Sequence, residues 1–518
     1  MKEELFLIID CGTQSVRALI FDANGGLIDK EKIDIEPYFS VYPGWAEQNV
    51  DLYWKSLCKA CIALKNKQDI LWDKIIGVSI TTQRDTGVNL DIDGNPLRPA
   101  IIWLDQRMAK CSEPLPLLNK MMFSAVGMYK AIEITRKKSK PNWIRENQPE
   151  IWDRTYKYML LSGFLTYKLT GRMVDSIACQ IGHIPFDYKN KCWPQTDSNY
   201  RFHVFGIERE KLPELVEPGS VVGNISNEIA EITGIKEGIP VIASGSDKGC
   251  ETLGVGCLDT KSVSISFGTT ATVQTSSKAY FEPLRFLPAY PAIIPGYYNP
   301  EVEIFRGYWM ISWFKKEFAA RELVEATQNN ISAESLLNNR LNEIPPGSHG
   351  LILQPFWGAG LKVPEAKGSV IGFGDIHTRA HLYRAIIEGI NYALIDGIEK
   401  IEKKSNNLVE RIMVSGGGSQ SDGICQITAD MFGRPVYRGQ TYEASGLGAA
   451  INGFVNTGIY ESYETAVQNM VHYKDVFTPN IENTEIYKKL YERVYKRIYP
   501  KLSSLYKDIQ EIINYPEL

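Results

Sequence analysis

The chain has 518 residues, of which 44% are hydrophobic and 23% are charged. This balance is typical of a globular protein with more than one domain, and it argues against a membrane protein or a disordered chain. The formal net charge of −4 provides no overall positive field, so neither nucleic acid nor a membrane surface is an expected partner. We therefore expect a small-molecule ligand.

The cysteines and the N-terminus favour a cytoplasmic location. The 9 cysteines follow no regular spacing, and their odd number does not suggest a disulfide framework. The opening MKEELFLIIDCG runs from apolar residues directly into an acid and a glycine. Because it lacks a small-residue cleavage site, it predicts a first strand and not a signal peptide.

Two segments half a chain apart share one pattern: a strand, a Gly-Thr turn and a second strand. They are LFLIIDCGTQSVRALIFD, residues 5–22, and KSVSISFGTTATVQTSS, residues 261–277. Glycine lets backbone amides approach an anion, and hydroxyls add donors. A single hairpin of this kind is weak evidence, but two copies predict paired phosphate sites in two related α/β domains facing each other across a cleft. The turn residues are Gly12, Thr13 and Ser15 in the first copy and Gly268, Thr269 and Thr270 in the second.

Between the hairpins lies VIASGSDKGCETLGVGC, residues 241–257. A short apolar strand runs into small residues that leave one acid, Asp247, and its neighbour Lys248 open to a ligand. Apolar spacing of three and four predicts helices over residues 50–66, 383–404, 442–458 and 484–511. Tyrosines in the last of these predict packing. Residues 278–304 are rich in proline and tyrosine without a period, which predicts an irregular insertion.

A third glycine cluster, RIMVSGGGSQSDGICQITADMFGRPV, covers residues 411–436. It predicts a strand, a glycine turn, and a helix from near Ser421 to near Gly433, which together bring backbone amides to one place. The glycine spacing differs from that of a dinucleotide site. It suits a single nucleotide, with Gly416 and Gly417 against the adenosine and Gln420 near its edge.

The ordered motifs resemble those of the FGGY family of carbohydrate kinases, within the actin, hexokinase and heat-shock ATPase superfamily. The segments that carry the resemblance are IIDCGTQSVRALIFD, WAEQNVDLYWKSL, ITTQRDTGVNLDIDGNPLRPAIIWLDQR, KPNWIRENQPE, LTGRMVDSIA, SGSDKGCETLGVG, SFGTTA, GSVIGFGDIHTRAHLYRAIIEG and VSGGGSQSDGICQITADMFGRPV.

The resemblance implies an α/β fold of two duplicated ribonuclease H-like (actin-like ATPase) domains facing each other across a nucleotide and substrate cleft. Residues 1–252 would bind the sugar and supply the catalytic base, and residues 253–518 would bind ATP and end in a helical tail. The implied enzyme is a phosphotransferase that uses Mg²⁺ and ATP to phosphorylate a hydroxyl of a small sugar or polyol. A homodimer is compatible with this resemblance.

The resemblance also implies roles for individual residues. Asp247 matches the general base that takes the proton of the acceptor hydroxyl, which suits phosphoryl transfer because that reaction depends mainly on positioning and charge stabilisation. Asp10 matches the acid that holds Mg²⁺ through water, with Asp247 as a second metal-facing acid. For Asp10, the alternative role is that of an acid at the end of a strand that binds backbone amides. The ATP phosphates would lie on Gly12, Thr13, Gln14, Ser15, Gly268, Thr269 and Thr270.

The acceptor pocket resembles the glycerol kinase branch at Gln83, Arg84 and Asp85 and at Trp103 and Asp105. Two departures disfavour glycerol. Lys248 stands where glycerol kinases carry glutamine, and the RKKSK run at residues 136–140 lacks their tyrosine.

Three alternatives stay open at the sequence level. Lys248 either contacts a carboxylate or phosphate of an anionic sugar, such as a sugar acid, or pairs with Glu251. Arg136 to Lys138 either face the pocket or, as we favour, form a solvated loop. A rival from another class is a catalytically silent nucleotide- and sugar-binding sensor, which would not need Asp247.

Overall fold

The computed structural model describes residues 4–357 and 365–514 and contains two six-stranded sheets of the same design. Across the first sheet the strands are Val221–Asn224, Pro240–Ile242, Ile75–Thr82, Leu5–Cys11, Ser15–Asp22 and Leu27–Asp34. Across the second they are Glu301–Ile304, Ala271–Gln274, Ser262–Phe267, Arg411–Ser415, Val436–Gly439 and Tyr473–Phe477.

Each sheet is built around one of the two predicted hairpins. Leu5–Cys11 pairs antiparallel with Ser15–Asp22 and parallel with Ile75–Thr82. Ser262–Phe267 pairs antiparallel with Ala271–Gln274 and parallel with Arg411–Ser415. Both central strands are buried along their whole length, as expected for sheets covered on both faces. The predicted duplicated α/β architecture is confirmed.

Helices cover both sheets. The first half of the chain contains the helices Val50–Lys67, Asp69–Trp72, Leu117–Ala125, Tyr129–Lys138, Lys140–Asn147, Pro149–Arg154, Leu161–Thr170, Tyr200–Phe205, Asn227–Thr233 and Asp247–Gly254. The second half of the chain contains the helices Trp309–Phe318, Ala320–Asn329, Ala333–Asn339, Arg379–Ser405, Asp422–Phe432, Ala444–Asn456, Tyr463–Met470, Ile481–Leu490 and Lys496–Ile513. Of these, Ala444–Asn456 packs on the first sheet, against the strands Leu5–Cys11 and Ile75–Thr82. Within the described ranges, no helix has both the length and the apolar character needed to cross a membrane.

Smaller sheets complete the fold. One has four strands, Glu47–Gln48, Ala100–Ile101, Gly87–Leu90 and Lys157–Leu160. The two-stranded ones pair Val174–Ser176 with Glu214–Val216, Tyr290–Pro291 with Tyr298–Asn299, and Ile352–Gln354 with Ser369–Ile371.

The four predicted helices are confirmed, although the C-terminal one is divided. A π-helical turn, Tyr491–Tyr495, separates Ile481–Leu490 from Lys496–Ile513. Its tyrosines pack in the core as predicted: Tyr487, Tyr491 and Tyr495 are at most 6% exposed.

Two predictions are corrected by the structure. Residues 278–304 are not wholly irregular, because Glu301–Ile304 forms the edge strand of the second sheet beside Ala271–Gln274. The run from Arg136 to Lys138 is not a solvated loop, because it ends the helix Tyr129–Lys138 and Arg136 is buried. Proline dominates the first of these segments and charge dominates the second, so their composition gave no indication of a short strand or of a buried arginine.

A close contact between two glycine-bearing helices joins the halves of the molecule. Asp247–Gly254 packs on Ala444–Asn456 so tightly that a Cβ on Gly254 would lie 1.9 Å from the carbonyl oxygen of Ala444. A Cβ on Gly448 would lie 1.9 Å from the carbonyl oxygen of Cys250. This contact fixes the helix that begins at Asp247.

Candidate active site

The first Gly-Thr turn is connected directly to the predicted acceptor residues. Gly12 N–H donates to the carbonyl of Ser15 at 3.0 Å, which closes the turn. The Thr13 hydroxyl donates to Gln83 Oε1 and accepts from Trp103 Nε1 at 3.0 Å. The first Gly-Thr turn and two predicted acceptor residues are therefore joined by hydrogen bonds.

The second turn leaves its hydroxyl and glycine residues accessible. Thr269 is exposed, while Gly268 and Thr270 are partly exposed. The N–H groups of Tyr308 and Trp309 donate to the carbonyls of Gly268 and Thr269, at 3.1 and 3.2 Å. The turn is thus held at the start of the helix Trp309–Phe318.

The third glycine cluster has the space that a nucleotide would need. Gly416 has φ = +81°, and a Cβ there would lie 3.0 Å from the backbone of Phe267. A Cβ on Gly417 would meet no described atom within 4 Å, and Gln420 is exposed. This open glycine cradle beside the second hairpin suits the predicted adenosine contact.

Asp247 is the first residue of the helix Asp247–Gly254 and lies near Arg84. Asp247 Oδ1 accepts a hydrogen bond from the backbone N–H of Lys248 at 2.8 Å. The same oxygen lies 4.0 Å from Arg84 Nε. Burial raises the pKa of Asp247, although the charges of Lys248 and Arg84 oppose the rise. A carboxylate with a raised pKa is better matched to accepting a proton.

Asp10 lies at the end of the first strand and interacts with Asp247 electrostatically. Burial raises the pKa of Asp10 to about 6; Arg17, whose Nη1 is 3.1 Å away, opposes this, and Asp247 adds to it. Two carboxylates that interact electrostatically suit Mg²⁺, which takes one or two carboxylates together with substrate phosphates. Among the described residues, no group of three or more His, Cys, Asp or Glu could hold a metal, so an ion here would depend on nucleotide oxygens.

Arg84 connects the acceptor pocket to the second half of the molecule. Its Nη1 donates to both carboxylate oxygens of Glu301, at 2.9 and 3.1 Å, and its guanidinium lies 5.0 Å from the ring centre of Tyr290. Its Nη2 is buried and has no hydrogen-bond partner within residues 4–357 and 365–514. That N–H group is suited to a ligand oxygen.

Asp85 is held by two cationic or titratable groups. Lys140 Nζ and His183 Nδ1 lie 2.8 and 2.9 Å from its Oδ2, and His183 N–H donates to Oδ1 at 2.9 Å. Burial alone would raise the pKa of Asp85, but Lys140 and His183 together hold it well below its usual value. Asp85 is therefore ionised and rigidly oriented.

The two remaining acceptor candidates differ in their surroundings. Trp103 is 36% exposed and offers its ring to the cleft. The side chain of Asp105 is only 1% exposed: it accepts from Arg107 at 2.8 and 2.7 Å and from Ala46 N–H at 2.6 Å. Because these donors already occupy its carboxylate, the predicted role of Asp105 in acceptor binding is not supported.

Lys248 forms the pair that the sequence left open. Its Nζ lies 2.7 Å from Glu251 Oε2 and 2.5 Å from Ser266 Oγ. Ser266 and Ser415 both donate to Glu251 Oε1, at 3.0 and 2.5 Å. Burial alone would lower the pKa of Lys248, but Glu251 and Asp247 raise it above its usual value.

Several residues of the site carry no local signal in the sequence. Arg17, His183, Tyr290 and Glu301 lie in different segments and meet the motif residues only in the folded chain. Lys140 belongs to the RKKSK run, but its spacing does not indicate that it binds Asp85.

Comparison with known proteins defines the class. The N-terminal domain of the FGGY family of carbohydrate kinases matches residues 5–254, and the C-terminal domain of that family matches residues 263–457. The chain therefore belongs to the FGGY family of carbohydrate kinases. It is an enzyme of the two-domain actin-like ATPase fold that phosphorylates sugars with a nucleotide.

Three relatives illustrate the match. The chain is 30% identical to the uncharacterized sugar kinase YgcE of Escherichia coli over 94% of this chain and 92% of that protein. It is 29% identical to a xylulose kinase of Lactococcus lactis, over 93% and 94% of the two chains. The crystal structure of xylulose kinase from Rhodospirillum rubrum superposes with a TM-score of 0.83, at 23% identity over 97% and 100%. Gluconokinases are also among the relatives.

Proposed function

We propose that this kinase transfers the γ-phosphoryl group of ATP to a hydroxyl of a small neutral sugar or polyol, with Asp247 as the general base. One observation carries this proposal. The Asp247 carboxylate lies 4.0 Å from Arg84 Nε, and the ammonium of the next residue, Lys248, lies beside the second Gly-Thr turn, so the proposed base is near both proposed reactant sites.

Different residues of the chain bind the phosphates, the adenosine and the metal ion and accept the proton. Gly12 to Ser15 and Gly268 to Thr270 hold the ATP phosphates, and Gly416, Gly417 and Gln420 hold the adenosine. Asp10 and Asp247 orient Mg²⁺, which would neutralise phosphate charge when bound. Asp247 takes the acceptor proton as the acceptor oxygen bonds to phosphorus.

The charges around the acceptor residues favour a neutral acceptor over a sugar acid. Arg84 is already paired with Glu301, and Lys140 with Asp85. Glu303, two residues after Glu301 on the same strand, is half-buried; partial burial and the charge of Glu301 raise its pKa to about 7. An acceptor carboxylate would therefore enter a pocket whose cations are already paired and whose unpaired neighbour is acidic.

Arg84 Nη2, which has no hydrogen-bond partner among the described residues, also favours a neutral acceptor. A hydroxyl oxygen can accept from Nη2 without bringing in a charge, which would satisfy the buried donor. Gln83 and Trp103 provide a polar edge and an aromatic face next to it, the usual composition of a site for a polyol carbon chain.

The test is MgATP-dependent ADP release with a panel of ketopentoses, pentitols, aldohexoses, glycerol and aldonates. We expect a neutral acceptor to stimulate turnover and aldonates to be poorer by at least about 10-fold in kcat/KM. Asp247→Asn should lower kcat by about 10²-fold or more, the range of a lost general base, while the Kd for ADP measured without Mg²⁺ stays near that of the unchanged protein.

Two results would contradict the proposal. Preferred turnover of an aldonate would reverse the assignment of the acceptor class. A slow ATPase that no acceptor stimulates and that Asp247→Asn leaves unchanged would favour the catalytically silent sensor.

A further inference from the structure

Lys248 extends away from the acceptor residues and towards the second phosphate turn. Its ammonium donates to Ser266 Oγ, two residues before Gly268. It also lies 3.8 Å from the position that a Cβ on Gly268 would occupy. This distance is that of an ordinary van der Waals contact, so the ammonium lies directly beside the turn.

The Lys248 ammonium is held in place by two of its three N–H donors. It has three N–H donors, of which Glu251 takes one and Ser266 a second. Within the described part of the chain, the third is left for a ligand, and the side chain is 24% exposed. Ser266 and Ser415 also hold Glu251, so the lysine is positioned from three different segments.

We propose that Lys248 binds the γ-phosphoryl group of ATP beside the second phosphate turn and stabilises its charge during transfer. This inference rests on the proposed function. The acceptor oxygen forms a bond to the γ-phosphorus while the bond from phosphorus to the β,γ-bridging oxygen breaks. Asp247 takes the acceptor proton, ADP leaves with the bridging oxygen, and Lys248 keeps its protons throughout.

The placement of the charge explains why a lysine is useful next to the base. Charge in phosphoryl transfer is spread over the oxygens of the moving group, and a fixed cation is effective where water is excluded. Lys248 and Asp247 are adjacent in sequence but point to different partners, Asp247 towards Arg84 and Lys248 towards Ser266. The first two residues of the helix Asp247–Gly254 thus serve both reactants, Asp247 the acceptor and Lys248 the γ-phosphoryl group.

The experiment must separate this role from simple neutralisation of Glu251. Lys248→Met alone leaves a buried unpaired carboxylate and can unfold the protein. We therefore use Lys248→Met/Glu251→Gln, in which the glutamine carbonyl still accepts from the two serines. Glu251→Gln alone is the matched control, because it keeps the lysine.

Binding is measured by calorimetry with MgADP and with the magnesium complex of the non-hydrolysable ATP analogue AMP-PNP. We expect the double variant to lose affinity for AMP-PNP by about 10-fold or more, the effect of one hydrogen bond to a charged group, with its Kd for ADP changed less than 2-fold. Glu251→Gln should retain the preference for AMP-PNP. Turnover should show a lower kcat in the double variant with an unchanged KM for the sugar.

Two outcomes overturn the inference. One is an unchanged ratio of the two nucleotide affinities in a folded double variant. The other is a raised sugar KM with normal nucleotide binding, which would assign Lys248 to the acceptor. Absence of turnover in the unchanged enzyme would contradict the proposed function only, because the binding measurement supports or overturns the role of Lys248 by itself.

Discussion

Lys140 and Asp85 form a buried ion pair at the acceptor end of the cleft. Each side chain is at most 19% exposed, and the atoms are 2.8 Å apart. Removing Lys140 takes away one of the two side chains that compensate the buried charge of Asp85, the other being His183, and this loss costs more than the pair contributes in net terms. Lys140→Met should therefore lower the free energy of unfolding by about 3 to 5 kcal/mol, measured by urea denaturation at neutral pH.

The same prediction has a pH dependence and a matched control. The stabilisation of ionised Asp85 is present above the ordinary aspartate pKa of about 3.9 and is lost as the pH falls towards its depressed value in the folded state. The difference between Lys140→Met and the unchanged protein should therefore shrink below about pH 4. Lys138→Met, two residues earlier and exposed, should change stability by less than about 0.5 kcal/mol.

Arg17 controls the ionisation of Asp10. Because Arg17 lowers a pKa that burial raises to about 6, Arg17→Met should raise it further. Ionised Asp10 is needed for the proposed magnesium contact, so activity should fall as the pH falls through this pKa. We expect the acid limb of the pH profile of kcat/KM, which reports the free enzyme, to move up by about 1 pH unit.

Lys30 supplies the control for this experiment. Arg17 and Lys30 both bind Glu443, at 3.1 and 2.7 Å, but only Arg17 also binds Asp10. Lys30→Met should leave the acid limb in place. Equal shifts in both variants would mean that Glu443, and not Asp10, sets the acid limb.

At the scale of elements, the helix that begins at Asp247 depends on its contact with Ala444–Asn456. Gly448→Ala would place a Cβ 1.9 Å from the carbonyl of Cys250, and backbone cannot move aside as a flexible side chain can. We expect Gly448→Ala to lower the free energy of unfolding by about 1 to 3 kcal/mol, as overpacking does, and to lower kcat by displacing Asp247.

A second helical glycine shows whether the contact or the helix itself is responsible. Gly423, in Asp422–Phe432, would bring its Cβ 3.3 Å from the end of the Leu341 side chain. Because alanine favours a helix and leucine can adjust, Gly423→Ala should be neutral or stabilising by about 0.5 to 1 kcal/mol. Thermal unfolding of both variants checks the comparison, and equal losses would contradict it.

The sequence predicted those parts of the molecule that have a local cause. Apolar periodicity predicted Val50–Lys67 and Arg379–Ser405, and turn glycines predicted both hairpins and the helix Asp422–Phe432. It could not predict the pairing of Arg84 with Glu301 or of Arg17 with Glu443, whose partners are 217 and 426 residues apart. Such pairs are created by the fold and leave no spacing to detect.

At the scale of the whole molecule, the proposed acceptor pocket takes residues from both halves of the chain. Glu301 comes from the edge strand of the second sheet and holds Arg84 of the first half. Near it, the Tyr298 hydroxyl donates to the carbonyl of Lys189 at 2.6 Å, and the rings of Tyr188 and Tyr290 meet at 5.6 Å. Residues 278–304, for which the sequence predicted an irregular insertion, are thus the part of the second half that reaches the proposed acceptor pocket.

Glu301→Gln tests this dependence of the acceptor pocket on the second half. The change removes the charge that fixes the Arg84 guanidinium, so the KM for the sugar should rise by about 10-fold, as for a lost charged hydrogen bond, while the KM for ATP stays within 2-fold. Glu303→Gln is the matched control, since it lies on the same strand but forms no ion pair with Arg84 within the described ranges. If both variants raise the sugar KM equally, the negative charge of the strand matters and the specific contact with Arg84 does not.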